Sequence, residues 1–466
     1  MKHYTVAIIG GGPGGYEAAI RLNQYEIDCV VIEKERLGGV CLNWGCIPTK
    51  ALVKSAEIWH DIAMAESFGL AAEQGKLDYA KVYSRKNEVV EKLVSGVEYL
   101  FNKRKIPVLI NRVISVSKSD EKFCLKLESE EDISSDYVIL ATGSAPKELP
   151  TVKIDEQDIL SSTGILKMDS LPKSLAVIGG GVVGCEFASI FSKLGVEVHL
   201  VEFLPSIVST EDEEIAKRLQ FFLKKSGIKI KTAVGVESYR KDNGRIILCL
   251  SDESELEVEK VLLSVGRSPV LGIDFGALEL QTEKGAVTID SQMRTSVDKL
   301  YAIGDVTGKM PLAHTASKQG LIVAAHISSL VTGKETEIHE LTYENIPRCT
   351  FTNPEVASCG LTEKQASEQF TSIKVGRFPF TANGKALAGG DTNGFVKTIA
   401  RADTNQLVGM HIIGPNAAEL IAQGSILINL KVTAEQVEKV VFAHPTLSEA
   451  VMEAIEDLNG LSIHKM

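Results

Sequence analysis

The sequence is poor in cysteine, with eight in 466 residues, and a fold held by a disulfide framework is far denser than that. A disulfide in such a chain is expected to be catalytic rather than structural. No apolar run reaches membrane-spanning length, so the chain is expected not to enter a membrane. No run of Lys and Arg forms a basic footprint, and the formal net charge is -11, which argues against nucleic acid as a partner. Low-complexity tracts are missing, and 44% hydrophobic with 24% charged residues is ordinary for a soluble globular protein. No pair of Cys/His pairs stands at a zinc spacing, so no metal is expected. Met1-Lys2-His3-Tyr4 runs straight into an apolar strand, leaving no room for a leader peptide, which predicts a cytoplasmic protein. The length itself calls for more than one core.

What the sequence does contain is an internal repeat. Val6-Ala7-Ile8-Ile9 leads into Gly10-Gly11-Gly12-Pro13-Gly14-Gly15, then a helical pattern, then the strand Cys29–Ile32 ending in Glu33. Leu175-Ala176-Val177-Ile178 leads in the same way into Gly179-Gly180-Gly181-Val182-Val183-Gly184, a second helical pattern, and the strand Val198–Val201 ending in Glu202. Gly10, Gly12 and Gly15 thus match Gly179, Gly181 and Gly184, and both copies fit G-x-G-x-x-G. Glycine lets the backbone approach a pyrophosphate whose charge the following helix N-terminus stabilises, and the acidic residue accepts hydrogen bonds from ribose hydroxyls. Two copies in the same context predict two bound dinucleotides. Glu202 would repel a 2′-phosphate, and Phe203-Leu204-Pro205 offers no arginine to neutralise one, so the second site is expected to prefer NAD over NADP. Two further strand-to-turn segments, Tyr137–Ser144 and Leu300–Asp305, resemble the additional FAD-contact motifs of two-dinucleotide flavoproteins, which implies that the first site holds FAD.

The segment Gly38–Lys50 holds Cys41 and Cys46. In a regular helix five residues rise about 7.5 Å, while disulfide geometry rarely tolerates Cα atoms beyond about 7 Å. A bond between them needs an irregular turn, which Gly45 can supply, with a helix opening from about Cys46 and Pro48 near its start. Two thiols with no bond remain the alternative. A cysteine at a helix N-terminus has its thiolate stabilised and becomes reactive. The other six cysteines are expected to pack as small core residues. Near the C-terminus, His444-Pro445-Thr446-Leu447-Ser448-Glu449 has the pattern of an imidazole oriented by a carboxylate. No comparable setting is visible for the other eight histidines.

G-G-x-C-L-N-x-G-C-I-P-x-K resembles the redox-active motif of the pyridine nucleotide-disulfide oxidoreductases, and H-P-T-L-S-E resembles their C-terminal active-site signature. The resemblance covers nearly the whole chain, and Leu42 and Ile47 are variants of the branch that oxidises dihydrolipoamide. It implies that Cys41 is the interchange thiol and Cys46 the charge-transfer thiol against the flavin. It implies that Lys50 lies near the flavin ring with Glu186 as its ion-pair partner, and that His444, oriented by Glu449, is the base. Glu33, Thr142, Gly143, Ser144, Asp305 and Ala313 are then expected on the FAD side, and Gly266 with the second glycine loop on the NAD side. The family's C-terminal loop reaches the active site of the other subunit, which implies a homodimer. The implied substrate is carried by a lipoyl-bearing protein of a 2-oxo acid dehydrogenase complex or a glycine-cleavage system, since no lipoyl-type extension precedes the first glycine loop. A glutathione-type reductase is the nearest rival; Glu202, Leu42, Ile47 and Ile20 stand against it. A non-enzymatic nucleotide-binding scaffold or redox sensor is the rival of another class.

The expected fold is α/β: two Rossmann-like dinucleotide-binding domains and a C-terminal α+β dimerisation domain. Its boundaries are an FAD domain over 1–145, an NAD domain over 146–268, a second FAD segment over 269–340 and an interface domain over 341–466.

Overall fold

The computed structural model describes residues 1–71, 73, 75–119, 121–129, 131–334 and 340–465. The described chain falls into two units, one made of 1–51, 80–147 and 266–343, the other of 52–79, 148–265 and 344–466.

In the first unit the strand Lys2–Ile9 is buried over Val6–Ile9, which is why it reads as a continuous apolar run. It pairs in parallel with Cys29–Glu33 on one side and Ile133–Leu140 on the other. Val108–Ile110 extends one side, Leu300–Ala302 joins Ile133–Leu140 in parallel, and Lys122–Leu127 with Val113–Ser119 adds an antiparallel flank. The helix Pro13–Gln24 follows the first strand directly and packs on the long helix Ala313–Thr332. Ile8, Ala18, Leu22, Val31 and Val323 meet in one core on this face of the sheet.

The second unit repeats the arrangement. Ser174–Ile178 lies between Glu197–Glu202 and Lys260–Leu263 in a five-stranded, all-parallel sheet, with the helix Val182–Lys193 after the glycine loop. An antiparallel meander, Val236–Asp242, Arg245–Leu250 and Glu255–Val258, interrupts the alternation of strand and helix. The C-terminal part is a five-stranded antiparallel sheet ordered Arg348–Thr350, Glu355–Gly360, Leu407–Gly414, Phe395–Arg401 and Ile373–Pro379. One of its faces carries Phe378, Val396, Met410 and Ile412 against Leu420, Ile421, Val451 and Ile455 of two helices.

The other face carries a row of polar residues, one from each strand in direct register: Arg348, Ser358, His411, Lys397 and Arg377. Opposite stands the acidic start of the helix Glu213–Lys225. Lys397, 2% exposed, bonds Asp212 at 2.7 Å, Glu363 at 2.7 Å and Glu214 at 3.1 Å. Arg377 bonds Glu214 at 2.9 Å, and Asp212 also caps the helix by accepting the Glu214 N–H. Burial opposes the charge on Lys397, but the bonds to Asp212 and Glu363 outweigh it and raise its pKa. Lys397→Ala strands these carboxylates without their cation and is expected to cost about 3–5 kcal/mol of stability. A denaturant titration of the variant against the parent measures this, and an unchanged midpoint would show the ion pairs to be dispensable.

The architecture matches the expected fold class, including the two nucleotide-binding sheets and a C-terminal α+β domain. No helix of the described residues is long and apolar enough to cross a membrane. Of the cysteines expected in cores, Cys29, Cys185 and Cys359 are buried, but Cys124, Cys249 and Cys349 are half-exposed. Cys124 and Cys249 lie on strands with one open side, where a small side chain need not face inward, whereas Cys349 packs against the core of the C-terminal sheet.

Candidate active site

Both glycine loops are built alike. Gly10 and Gly179 turn with φ +110° and +105°, a conformation that L side chains rarely adopt. A Cβ on Gly15 would stand 1.9 Å from the Gly10 carbonyl oxygen, and one on Gly184 1.9 Å from that of Gly179. The helix therefore opens hard against the end of its strand. At the caps the space is open: a Cβ on Gly12 would meet nothing nearer than Gly39 at 4.0 Å, and one on Gly181 nothing within 4 Å. Neither cap glycine supplies a side chain to the first N–H groups of its helix, which are left to face an anion. These loops fit the pyrophosphates of FAD and NAD.

The acidic residues do more than wait for ribose. Glu33 accepts the Gly11 N–H at 2.7 Å and the Glu35 N–H at 2.9 Å; Glu202 accepts those of Gly180 at 2.5 Å and Leu204 at 2.7 Å. Each carboxylate staples its glycine loop to the next strand and retains lone pairs for hydroxyl donors.

Ser144 and Asp305, two of the residues expected on the flavin side, lie against each other. Thr142 donates to the Val270 carbonyl at 2.5 Å, and Ser144 donates to Asp305 at 2.5 Å. Gly143 turns there with φ +75°. Arg267, which sequence reasoning missed, organises this group: its Nε donates to Ser144 Oγ and its Nη2 to the Ser144 carbonyl, both at 2.6 Å. Its strand, Arg267–Pro269, pairs with Ser144–Pro146, and Gly266 just before it accepts the Lys147 N–H. Burial lowers the Arg267 pKa, opposed by the charges of Asp305 and Cys46. Ala313 is the first residue of the helix Ala313–Thr332.

Cys41 lies on the short helix Gly39–Trp44, and Cys46 opens the helix Cys46–Met64, which also carries Lys50. Gly45 breaks the two helices apart, as the spacing requires. The two thiols lie within hydrogen-bonding reach of each other. The hydrogen bond to Cys46, followed by burial, raises the pKa of the Cys41 thiol, while Lys50 pulls it down. Cys46, at the helix N-terminus, is the member whose thiolate is favoured.

His444 meets Glu449 as its spacing predicts: Nδ1 lies 2.8 Å from Oε1, and the other carboxylate oxygen accepts the Thr446 N–H at 2.7 Å. Burial opposes the Glu449 charge, but the Thr446 N–H, His444 and His464 prevail and lower its pKa. Nδ1 is thereby assigned the donor role, which leaves Nε2 to accept a proton. Glu186, 5% exposed, accepts the Phe351 N–H at 2.9 Å. One expectation is overturned: His464 has a setting comparable to that of His444, with Nδ1 2.5 Å from the buried Glu453. Eleven residues separate that pair across the end of a helix, so no local motif announces it.

The matched family profiles are pyridine nucleotide-disulphide oxidoreductase over residues 4–320 and the dimerisation domain of the same family over 346–455. The chain belongs to the pyridine nucleotide-disulphide oxidoreductase family. It is 38% identical to the dihydrolipoyl dehydrogenase of Zymomonas mobilis, covering 99% of each chain. It is equally similar to one from Bacillus subtilis, covering 99% of this chain and 100% of that one. Among solved structures, LpdA from Mycobacterium tuberculosis superposes with a TM-score of 0.89 at 24% identity, over 98% of this chain and all of the other, which supports the fold. The HOCl-induced flavoprotein disulfide reductase RclA from Escherichia coli gives 0.84 at 25% identity, over 97% and 99% of the chains. This pyridine nucleotide-disulphide oxidoreductase is thus a flavoprotein enzyme that uses FAD and NAD.

Proposed function

We propose that this enzyme is a dihydrolipoyl dehydrogenase that oxidises protein-bound dihydrolipoamide and reduces NAD. The observation that carries the reading is the facing pair Cys41 and Cys46 at a helix N-terminus, in a chain 38% identical over its whole length to enzymes of that name. In the oxidised enzyme a substrate thiolate attacks Cys41, forming a mixed disulfide and releasing Cys46 as thiolate. The second substrate thiol displaces Cys41, closes the lipoamide ring and leaves the enzyme dithiol. His444 accepts the thiol proton at Nε2, held in orientation by Glu449. The helix N-terminus and Arg267 stabilise the negative charge on Cys46. FAD, when bound, supplies the acceptor for an electron pair that thiols do not pass directly to nicotinamide.

The natural substrate is then a lipoyl-bearing protein of a 2-oxo acid dehydrogenase complex or glycine-cleavage system, and the working form a homodimer in the cytoplasm. One comparison tests the reading: NADH formation from dihydrolipoamide against NADPH oxidation by glutathione disulfide. Turnover in the first and none in the second is expected, because the Glu202 carboxylate would repel a 2′-phosphate. The reverse outcome would reassign the enzyme to the glutathione-type reductases.

A further inference from the structure

The two glycine loops differ in what stands behind them. In the first, the Gly11 carbonyl accepts the Gly38 N–H at 2.8 Å, and a Cβ on Gly11 would stand 2.8 Å from Leu37 Cδ2. In the second, the Gly180 carbonyl accepts the Val208 N–H at 2.8 Å, and a Cβ on Gly180 would stand 2.9 Å from Ile207 Cγ2. Gly38 and Val208 thus hold the same place in the two repeats, and both have left-handed backbone, with φ +91° and +39°. Glycine adopts that conformation freely. A β-branched residue does so only where its surroundings hold it.

What holds Val208 comes from the C-terminal sheet. The Val208 carbonyl accepts the Glu211 N–H at 2.8 Å, closing a turn. The Glu211 side chain, 2% exposed, meets Arg348 at 3.4 Å between Oε1 and Nε. Its Oε2 has no hydrogen-bond partner among the described residues, so the charge of this carboxylate is answered by Arg348. The next residue, Asp212, is fixed by Lys397 at 2.7 Å and by the Glu363 N–H at 3.1 Å.

We propose that Arg348 is a positioning residue for NAD: by pairing with the buried Glu211 it keeps Val208 in its left-handed turn, and through the bond from Val208 to Gly180 it holds the second glycine loop in the shape that takes the pyrophosphate. The inference rests on reading that loop as the NAD site. Without the guanidinium, Glu211 is a buried charge with no partner and is driven toward water. The turn closed by its N–H then opens, and Val208 relaxes out of the left-handed region. Gly180 loses the donor to its carbonyl, and the N–H groups that face the anion are no longer fixed. The first loop needs no such hold, because Gly38 turns without strain.

The test is calorimetric titration of NAD into the oxidised, FAD-loaded holoenzyme, with KM and kcat measured beside it. Arg348→Met is expected to weaken NAD binding and raise the KM for NAD about tenfold, while kcat and FAD content stay at the parental level. Glu211→Ala unties the turn without leaving a charge buried and unpaired. It should weaken NAD to a similar extent, and it carries the test if Arg348→Met does not fold. In a Val208→Gly background, which gives the second loop the residue type of the first, either change should cost less than about twofold. NAD binding at parental affinity in Arg348→Met or in Glu211→Ala overturns the proposal. So does equal weakening with Val208 and with Gly at that position, which would make the ion pair a general brace. Failure of the underlying reading shows separately in Gly181→Asp. A Cβ there meets nothing within 4 Å and aspartate caps helices well, so the fold is kept while a carboxylate confronts the pyrophosphate. Parental NAD affinity in that variant would place the nucleotide elsewhere.

Discussion

Cys41→Ser is expected to abolish dihydrolipoamide oxidation, by more than about a thousandfold, while FAD stays bound. The substrate thiolate attacks a sulfur, and a serine oxygen at the same place on Gly39–Trp44 can neither accept that attack nor form a mixed disulfide. The loops that fit the pyrophosphates do not depend on this side chain. Gly10 and Gly15 lock to each other, and Glu33 staples Gly11. The flavin absorbance of the purified variant should therefore match the parent, and NADH should still bleach it. Steady-state turnover with dihydrolipoamide beside that spectrum makes the measurement. Parental turnover would reduce the cysteine pair to a bystander.

His444→Gln should slow the thiol half-reaction by about a hundred- to ten-thousandfold, the range that a positioned base contributes. Glutamine can still hydrogen-bond Glu449, so the loop built around Thr446 keeps its support, but it has no nitrogen that takes a proton near neutrality. Reduction of the flavin by NADH does not use this proton and should proceed at close to the parental rate. Rapid-mixing measurement of the two half-reactions separates them. Equal slowing of both would remove the histidine from proton transfer.

The parts of the site that were legible in the sequence are those written locally. The glycine loops, the two glutamates and the spacing of Cys41 from Cys46 each need a few neighbouring residues of particular chemistry, and His444 stands only five residues before Glu449. Arg267 was not legible, because its partner Ser144 lies 123 residues earlier and meets it only through strand pairing. The same holds for His464, which reaches Glu453 when the chain doubles back after the last helix. The meander 236–258 was passed over because its short strands sit inside an otherwise regular alternation of strand and helix. The polar row on the C-terminal sheet was invisible for a related reason. Arg348, Ser358, His411, Lys397 and Arg377 become neighbours only once five strands are in register.

That row has a consequence for how the C-terminal sheet finds its pairing. Side chains alternate strictly across a strand, so a slip of one residue turns every side chain to the opposite face. A slip in the strand Phe395–Arg401 would drive Lys397 among Phe378, Met410 and Ile412, and would leave Asp212 buried beside Val396 or Thr398. Both errors strand a charge where nothing compensates it. The five polar side chains thus act as a proofreading mark, making every misaligned sheet much less stable than the aligned one. They do so on the very strands that support the helix carrying Glu449.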